Sequence, residues 1–231
     1  MNKDYIELKE WLNQTKDEPL ENMAGFFDKR LDEYEKHMSR WKRHYQQFSK
    51  LVPAGAETLL DIGCGTGLEL DFIFKKNKNL KVTGIDLSKA MLQKLKEKHP
   101  HQSLTLINDD YLKCDLGREC FDVVVSFQTL HHFSSEKKIE LFKKIYHSLK
   151  LGGMYIECDY IASCQEIEGL ALTEYQRRRR RDHIPDDVLV HFDIPFTLEH
   201  EIESLKNAGF KNIESQFLSG DNHTVLFWVK K

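Results

Sequence analysis

The 231-residue chain contains no apolar run approaching the ~18 residues that a membrane-crossing helix needs. Its first ten residues, MNKDYIELKE, lack the apolar core of a secretory signal. Five cysteines at 64, 114, 120, 158 and 164 form no C-x-x-C pair, and their odd number speaks for reduced thiols rather than a disulfide framework. No H-E-x-x-H or Cys/His cluster of metal-binding spacing occurs, and of eleven histidines the adjacent pair is His131-His132, so no metal is expected. Net charge is also scarce: 34 Lys+Arg stand against 37 Asp+Glu, which excludes a surface built throughout for polyanions. These absences together predict a soluble, cytoplasmic protein without a membrane partner.

What is present is an alternation. From Thr58 onward, TLLDI, LKVTGIDL, SLTLIN, FDVVVSF and GGMYIECDY are short apolar runs, separated by helical patterns such as LELDFIFKK, KAMLQKLKEK and KKIELFKKIYHSLK. Strand and helix in strict turn predict an α/β fold, doubly wound, with a mostly parallel sheet covered on both faces. Stop signals follow the helices at Pro100 and at Gly152-Gly153, and Ser88 is placed to cap the helix beginning KAMLQ. Near the C-terminus, NIESQFL and HTVLFWVK flank the turn-rich SGDN and predict an antiparallel hairpin at the sheet edge.

Two appendages interrupt this rhythm. Residues 1–50 read as a helical flap: Tyr5, Leu8 and Leu12 mark a short helix ending near Pro19, Gly25 marks a break, and Leu31, Tyr34, Met38, Trp41, Tyr45 and Phe48 form one apolar stripe of a second helix. Residues 51–231 form the main domain, with a lid inserted at about 161–196 that carries five consecutive arginines, Arg177 to Arg181. Such a run spreads around a helix, so one or two guanidinium groups at most are expected to face the cleft or carboxylates such as Asp186 and Asp187.

The stretch LLDIGCGTG places Gly63, Gly65 and Gly67 at alternate positions between the first strand and its helix, after Asp61. A turn so bare lets a ligand approach main-chain N–H groups near a helix N-terminus. The dinucleotide fingerprint G-x-G-x-x-G would need glycine at 68, where this chain has Leu68. The spacing G-x-G-x-G after an acidic residue resembles the first motif of class I S-adenosylmethionine-dependent methyltransferases, over roughly residues 55 to 160 plus the edge hairpin. That resemblance implies a seven-stranded sheet and S-adenosyl-L-methionine as cofactor. It also implies cofactor-binding roles for Asp61 and the three glycines. Asp86, with Leu87 beside it, would hold the ribose hydroxyls; Asp109 or Asp110, with Tyr111, would meet the adenine; Phe127 and Gln128 would line the methionine portion. Tyr34 resembles a tyrosine that closes over the cofactor in a related subgroup, although its helical phasing equally suits core packing.

His131 and His132 follow the fourth strand within a turn of this site, and a histidine there is a candidate general base for an oxygen or nitrogen acceptor. Adjacent residues point in different directions, so at most one is expected to face the cleft. The expected reaction is methyl transfer to a small-molecule acceptor. No RNA-binding module or aromatic-interleaved basic stripe is present, which disfavours nucleic acid. The rivals are a tRNA-related enzyme, either an RNA methylase or one that remodels the cofactor, and a non-catalytic S-adenosylmethionine-binding protein. A homodimer is compatible with everything above.

Overall fold

The computed structural model describes residues 2–218 and 220–231. Its centre is a seven-stranded sheet of β2 (Thr58–Ile62), β3 (Lys81–Asp86), β4 (Leu104–Asn108), β5 (Phe121–Phe127), β6 (Leu149–Tyr160), β8 (Glu214–Phe217) and β9 (Thr224–Lys230). The spatial order is β4-β3-β2-β5-β6-β9-β8, parallel through β6, with β9 antiparallel to both β6 and β8. The chain enters at β2, winds outward to β4, then returns across to β5. The carboxyl ends of β2 and β5 therefore flank the switch point at which an open α/β sheet has its crevice. The apolar runs of the sequence became strands because both sheet faces are covered: Leu59, Ile62, Val123, Val124, Val125 and Ile156 are all fully buried.

The covering helices are α4 (Leu70–Lys76), α5 (Lys89–Lys98), α6 (Ser135–Ser148) and α8 (Leu198–Asn207). Ser88 caps α5, its Oγ accepting from the Met91 N–H at 3.0 Å, and Thr197 caps α8 in the same way. Two stop signals behave differently from expectation. Gly152 and Gly153 lie inside β6, which starts at Leu149, and the register jumps from Phe121↔Leu149 to Val123↔Met154. They form a bulge: a Cβ on Gly153 would stand 2.9 Å from the Lys150 carbonyl, so glycine is what allows the extra residues to be absorbed. Of the SGDN link, Ser219 lies outside the described residues. Asp221 organises the rest, accepting from the His223 and Thr224 N–H groups and the Thr224 hydroxyl.

Residues before the sheet form α1 (Lys3–Gln14), α2 (Met23–Met38) and α3 (Lys42–Leu51), with a single 3-10 turn at Ser39–Trp41. The predicted helix over 31 to 48 is thus bent in its middle, where Ser39 Oγ donates to the Lys36 carbonyl and Arg40 Nε to that of His37. The bend divides the apolar stripe: Tyr45 and Phe48 enter the core on α3, while Tyr34, Met38 and Trp41 line the central cavity. Gly25 is no break, because Asn22 caps α2 by accepting from the Gly25 N–H, placing that glycine in the first turn.

The insertion supplies α7 (Gln165–Arg181) and β7 (Val190–His191), and β7 pairs antiparallel with β1 (Glu21–Asn22) from the N-terminal segment. The arginine run works here as a clamp between α7 and α1. Arg178 is buried, bonded to Glu174 and to Thr15 Oγ1 at 2.8 Å each, with its guanidinium over the rings of Trp11 and Phe192. Arg177 and Arg181 donate to the carbonyl of Lys16, and Arg179 to those of Pro185 and Val188. Among the described residues none of the five lines the central cavity, and none pairs with Asp186 or Asp187. Buried guanidinium groups need acceptors: Glu174 and Thr15 supply them to Arg178, and Tyr175 with the Pro185 and Val188 carbonyls supplies them to Arg179.

Candidate active site

A cavity of about 780 Å³ opens at the carboxyl ends of β2, β3 and β5, beneath α2 and against the insertion. That falls within the ~300–1,000 Å³ typical of a pocket for one small ligand. Its floor is the glycine turn after β2. Gly63, Gly65 and Gly67 all have positive φ, +67°, +48° and +69°, a conformation that disfavours side chains. They differ in what they face. A Cβ on Gly63 would strike Thr129 Oγ1 at 2.2 Å, and one on Gly67 would strike Leu95 at 2.4 Å, so those two glycines serve packing. At Gly65 the nearest atom is the Tyr34 hydroxyl at 3.5 Å, and that residue lies open to the cavity.

Asp86 ties this turn down. Its Oδ2 accepts from the Gly65 N–H at 2.9 Å and its Oδ1 from the Ser88 N–H at 2.8 Å. Burial pushes its pKa up, these two N–H donors oppose the rise, and Asp28 adds to it. Asp61 lies below the turn, almost fully buried beside Glu69, and each has an oxygen without a protein partner. Burial, together with the adjacent Glu69 carboxylate, raises Asp61 well above the ordinary carboxylate range, and burial raises Glu69 as well.

At the other end of the cavity, beyond β5, both histidines face inward. The loop from Thr129 to Phe133 is not helical, so the rings of His131 and His132 sit side by side with centroids 4.0 Å apart. His131 Nδ1 is 2.5 Å from Asp159 Oδ1 on β6, and that carboxylate also accepts from the Leu130 and Tyr160 N–H groups. Burial alone would lower the His131 pKa; Asp159 and Asp193 outweigh it and raise the imidazole above its ordinary value. Burial and the charge of His131 push His132 down. Asp193, from the insertion, stands 3.6 Å from His131 Nε2 and 3.3 Å from His132 Nδ1. His191 stacks on Phe26 of α2 at 3.5 Å, closing the wall between flap and insertion.

Of the residues singled out in the sequence, Tyr34, Gly63, Gly65, Asp86, Phe127, Gln128, His131 and His132 line one cavity. Others stand behind it. Asp61 and Gly67 support the turn, and Tyr111 is buried with its hydroxyl 3.3 Å from Thr129 Oγ1. Asp110 accepts from the Leu112 N–H, Asp109 is exposed and accepts from the Asp110 N–H, and Leu87 bonds through its carbonyl to Asn108 Nδ2. Asp159, Asp193, His191 and Phe26 carried no separate signal. The strings ECDY and HFDIPF contain the first three, but only the fold places β6, the insertion and α2 against the histidine loop.

The family model for a methyltransferase domain matches residues 59–153. A carboxy-S-adenosyl-L-methionine synthase of Nautilia profundicola is 31% identical over 171 residues, 70% of this chain and 72% of that protein. The chain belongs to the class I S-adenosylmethionine-dependent methyltransferases. Two solved structures share the fold of this methyltransferase-family enzyme. Human N-acetylserotonin methyltransferase in complex with S-adenosylmethionine superposes with a TM-score of 0.62 at 17% identity, covering 86% of this chain and 53% of that one. A chain from the complex of the Haloferax volcanii Trm112 methyltransferase activator with a methyltransferase gives 0.68 at 16% identity, covering 90% and 96%. The cofactor is S-adenosylmethionine, and the cavity suits it. The unobstructed backbone at Gly65 admits close approach, the free lone pairs of Asp86 suit paired hydroxyls, and Tyr34 and Met91 supply apolar walls. No helix among the described residues is long and apolar enough to cross a membrane.

Proposed function

We propose that this enzyme moves the methyl group of S-adenosylmethionine to an oxygen of a small-molecule acceptor, with His131 as general base. The observation that carries this reading is the His131–Asp159 pair at the end of the cavity beyond β5. S-adenosylmethionine supplies an electrophilic methyl carbon on a sulfonium. The acceptor oxygen forms its bond to that carbon as the carbon–sulfur bond breaks, the sulfur keeps the electron pair, and the acceptor proton passes to His131 Nε2. Asp159 fixes the ring orientation and favours the imidazolium that results. Asp86 and the turn at Gly65 hold the nucleoside, and Tyr34, Met38 and Trp41 exclude water from the transfer path.

A small acceptor is supported by the cavity lining. Apart from histidines, its one cationic side chain among the described residues is Arg30, which is already paired with Glu21 at 2.8 Å and stacked on Phe26. An RNA or a strongly acidic acceptor would meet no free guanidinium there. The 31% identity to a carboxy-S-adenosyl-L-methionine synthase favours a second reading, in which the product is a carboxylated cofactor. One experiment separates the two. Purified protein is incubated with donor labelled in its methyl group plus a metabolite extract, and both the retained ligand and the extract are analysed by mass spectrometry. Label appearing in a third molecule, and lost in His131→Gln, supports methyl transfer. Label retained in a heavier cofactor overturns it in favour of carboxylation, and label remaining wholly in unaltered donor overturns both.

A further inference from the structure

We infer that His131, His132 and Asp193 form a binding site for one divalent transition-metal ion of the zinc class, and that its occupancy switches off methyl transfer. The inhibitory half rests on His131 being the general base; the site itself does not. One donor atom from each of the three residues falls within 4.8 Å of the other two. Ligand bonds of ~2.0–2.2 Å arranged tetrahedrally around one ion put donors roughly 3.3–3.5 Å apart. The separations from Asp193 Oδ1 are 3.3 Å to His132 Nδ1 and 3.6 Å to His131 Nε2, close to that spacing on two of the three sides. Two neutral imidazoles and a carboxylate are the donor set zinc favours, and three protein ligands leave a fourth position open toward the cavity.

A second observation supports the assignment. His131 presents Nε2 because its Nδ1 is held by Asp159 at 2.5 Å, the carboxylate–histidine arrangement that orients metal-binding imidazoles. His132 Nδ1 lies 3.2 Å from the Phe192 carbonyl, a hydrogen bond it gives up when it ligates. From the neighbouring elements, the ring of Tyr160 stands 6.2 Å from that of His131 and the ring of His191 4.7 Å from that of His132, while Phe26 covers His191. Two carboxylates, Asp159 and Asp193, thus converge on one histidine pair, and a divalent ion neutralises them. The ion occupies the lone pair of His131 Nε2, the same one that must take the acceptor proton. Methyl transfer and metal binding are therefore mutually exclusive.

The test uses chelator-treated full-length protein titrated with Co²⁺, followed by its visible absorption, with Zn²⁺ as competitor and calorimetry for stoichiometry. One equivalent should bind, with the intense absorption bands of a four-coordinate site. Asp193→Asn and His132→Gln should each weaken binding at least tenfold, and Asp159→Asn by about 10–100-fold as an orienting residue. Asp86→Ala should bind metal as the parent does while losing cofactor affinity, so failure of the cofactor assignment is read separately. Labelled-methyl transfer should fall in proportion to Zn²⁺ occupancy. No saturable binding, or binding indifferent to both Asp193→Asn and His132→Gln, overturns the site. Transfer that rises with occupancy overturns the inhibitory role.

Discussion

Replacing Asp86 by alanine separates the two tasks of that carboxylate. In the free protein it holds the glycine turn, one oxygen accepting from Gly65 and the other from Ser88. A carboxylate offers roughly four acceptor positions, so two remain for the paired ribose hydroxyls that we propose it holds. On the folding side, the Gly65 N–H lies on the cavity wall and is rehydrated when its partner goes. The Ser88 N–H is buried under α2 and loses its acceptor, at a cost of about 1–2 kcal/mol. For a chain of this length that lowers Tm by about 2–8 °C. On the binding side, losing a charge-assisted contact costs about 1.5–3 kcal/mol, which weakens Kd by about 10- to 150-fold. Asp86→Asn is not a conservative control, since its amide N–H₂ must oppose one of the two backbone donors; it should resemble the alanine variant in Tm. Because hydroxyl donors prefer the ionised carboxylate and its pKa is already raised by burial, cofactor affinity in the parent should also decline as the pH is lowered toward that pKa. Differential scanning fluorimetry without ligand and calorimetry with S-adenosylmethionine and S-adenosylhomocysteine give both numbers. A variant that melts lower as expected but binds either ligand within twofold of the parent would refute the assignment of Asp86 to the ribose.

Other substitutions probe separate parts of the molecule. Gly65→Ala should cost about 1–2 kcal/mol of stability for its left-handed φ and weaken cofactor binding at least tenfold, because its methyl projects into the cavity; equal affinity by calorimetry would show that no ligand approaches that turn. Lys138, buried and 2.5 Å from Glu201, should not tolerate methionine: Lys138→Met leaves a buried carboxylate without its cation and should lose about 3–5 kcal/mol in urea unfolding, recovered largely by adding Glu201→Leu. Arg178→Ala should destabilise the α1–α7 clamp, seen as faster hydrogen exchange of α1, without altering cofactor Kd. Asp122 is held down to about 2: burial would raise it, but Lys150 and the Thr58 and Glu57 donors prevail. A depressed carboxyl stabilises above its unfolded pKa, so its contribution of about 1 kcal/mol after solvent screening should be present at pH 6 and vanish as the pH falls toward 2, measured as a shrinking stability difference between parent and Asp122→Ala.

The sheet was legible because its strands are buried on both faces, which leaves continuous apolar runs such as DVVV and LLDI that only a covered parallel sheet explains. The glycine turn was legible for a related reason: positive φ at three alternate positions strongly favours glycine. The distinction among the three glycines was not, since it depends on Thr129 and Leu95 arriving from elsewhere in the chain. Helical periodicity failed at Ser39 because a 3-10 turn keeps the apolar residues three or four apart while rotating them onto a different wall. The arginine run misled more fully. Charge in sequence suggests solvent or ligand, whereas burial of Arg178 depends on acceptors at the end of α1, about 160 positions away.

The pairing of β1 with β7 has a consequence for the site that neither segment discloses alone. Phe26 and Tyr34 belong to the flap, His191 and Asp193 to the insertion, and the two-stranded link at Glu21↔His191 and Asn22↔Val190 joins both walls of the cavity. Stacking of Phe26 on His191 and the bond from the Met23 N–H to the Leu189 carbonyl extend that link. The flap is in turn latched to the sheet layer by Asp28 on Ser88, Lys94 on the Leu31 carbonyl and Lys98 on Glu35. The wall under α2 is thus held by polar latches and a two-stranded sheet, with no covalent link among these contacts. The same linkage fixes Asp193 relative to the histidine loop, through the Ile194 N–H on the His131 carbonyl at 2.8 Å. The Gly65 end and the His131 end of the cavity are thus walled by segments that the β1–β7 pairing joins, so a shift of the insertion bears directly on the N-terminal helices.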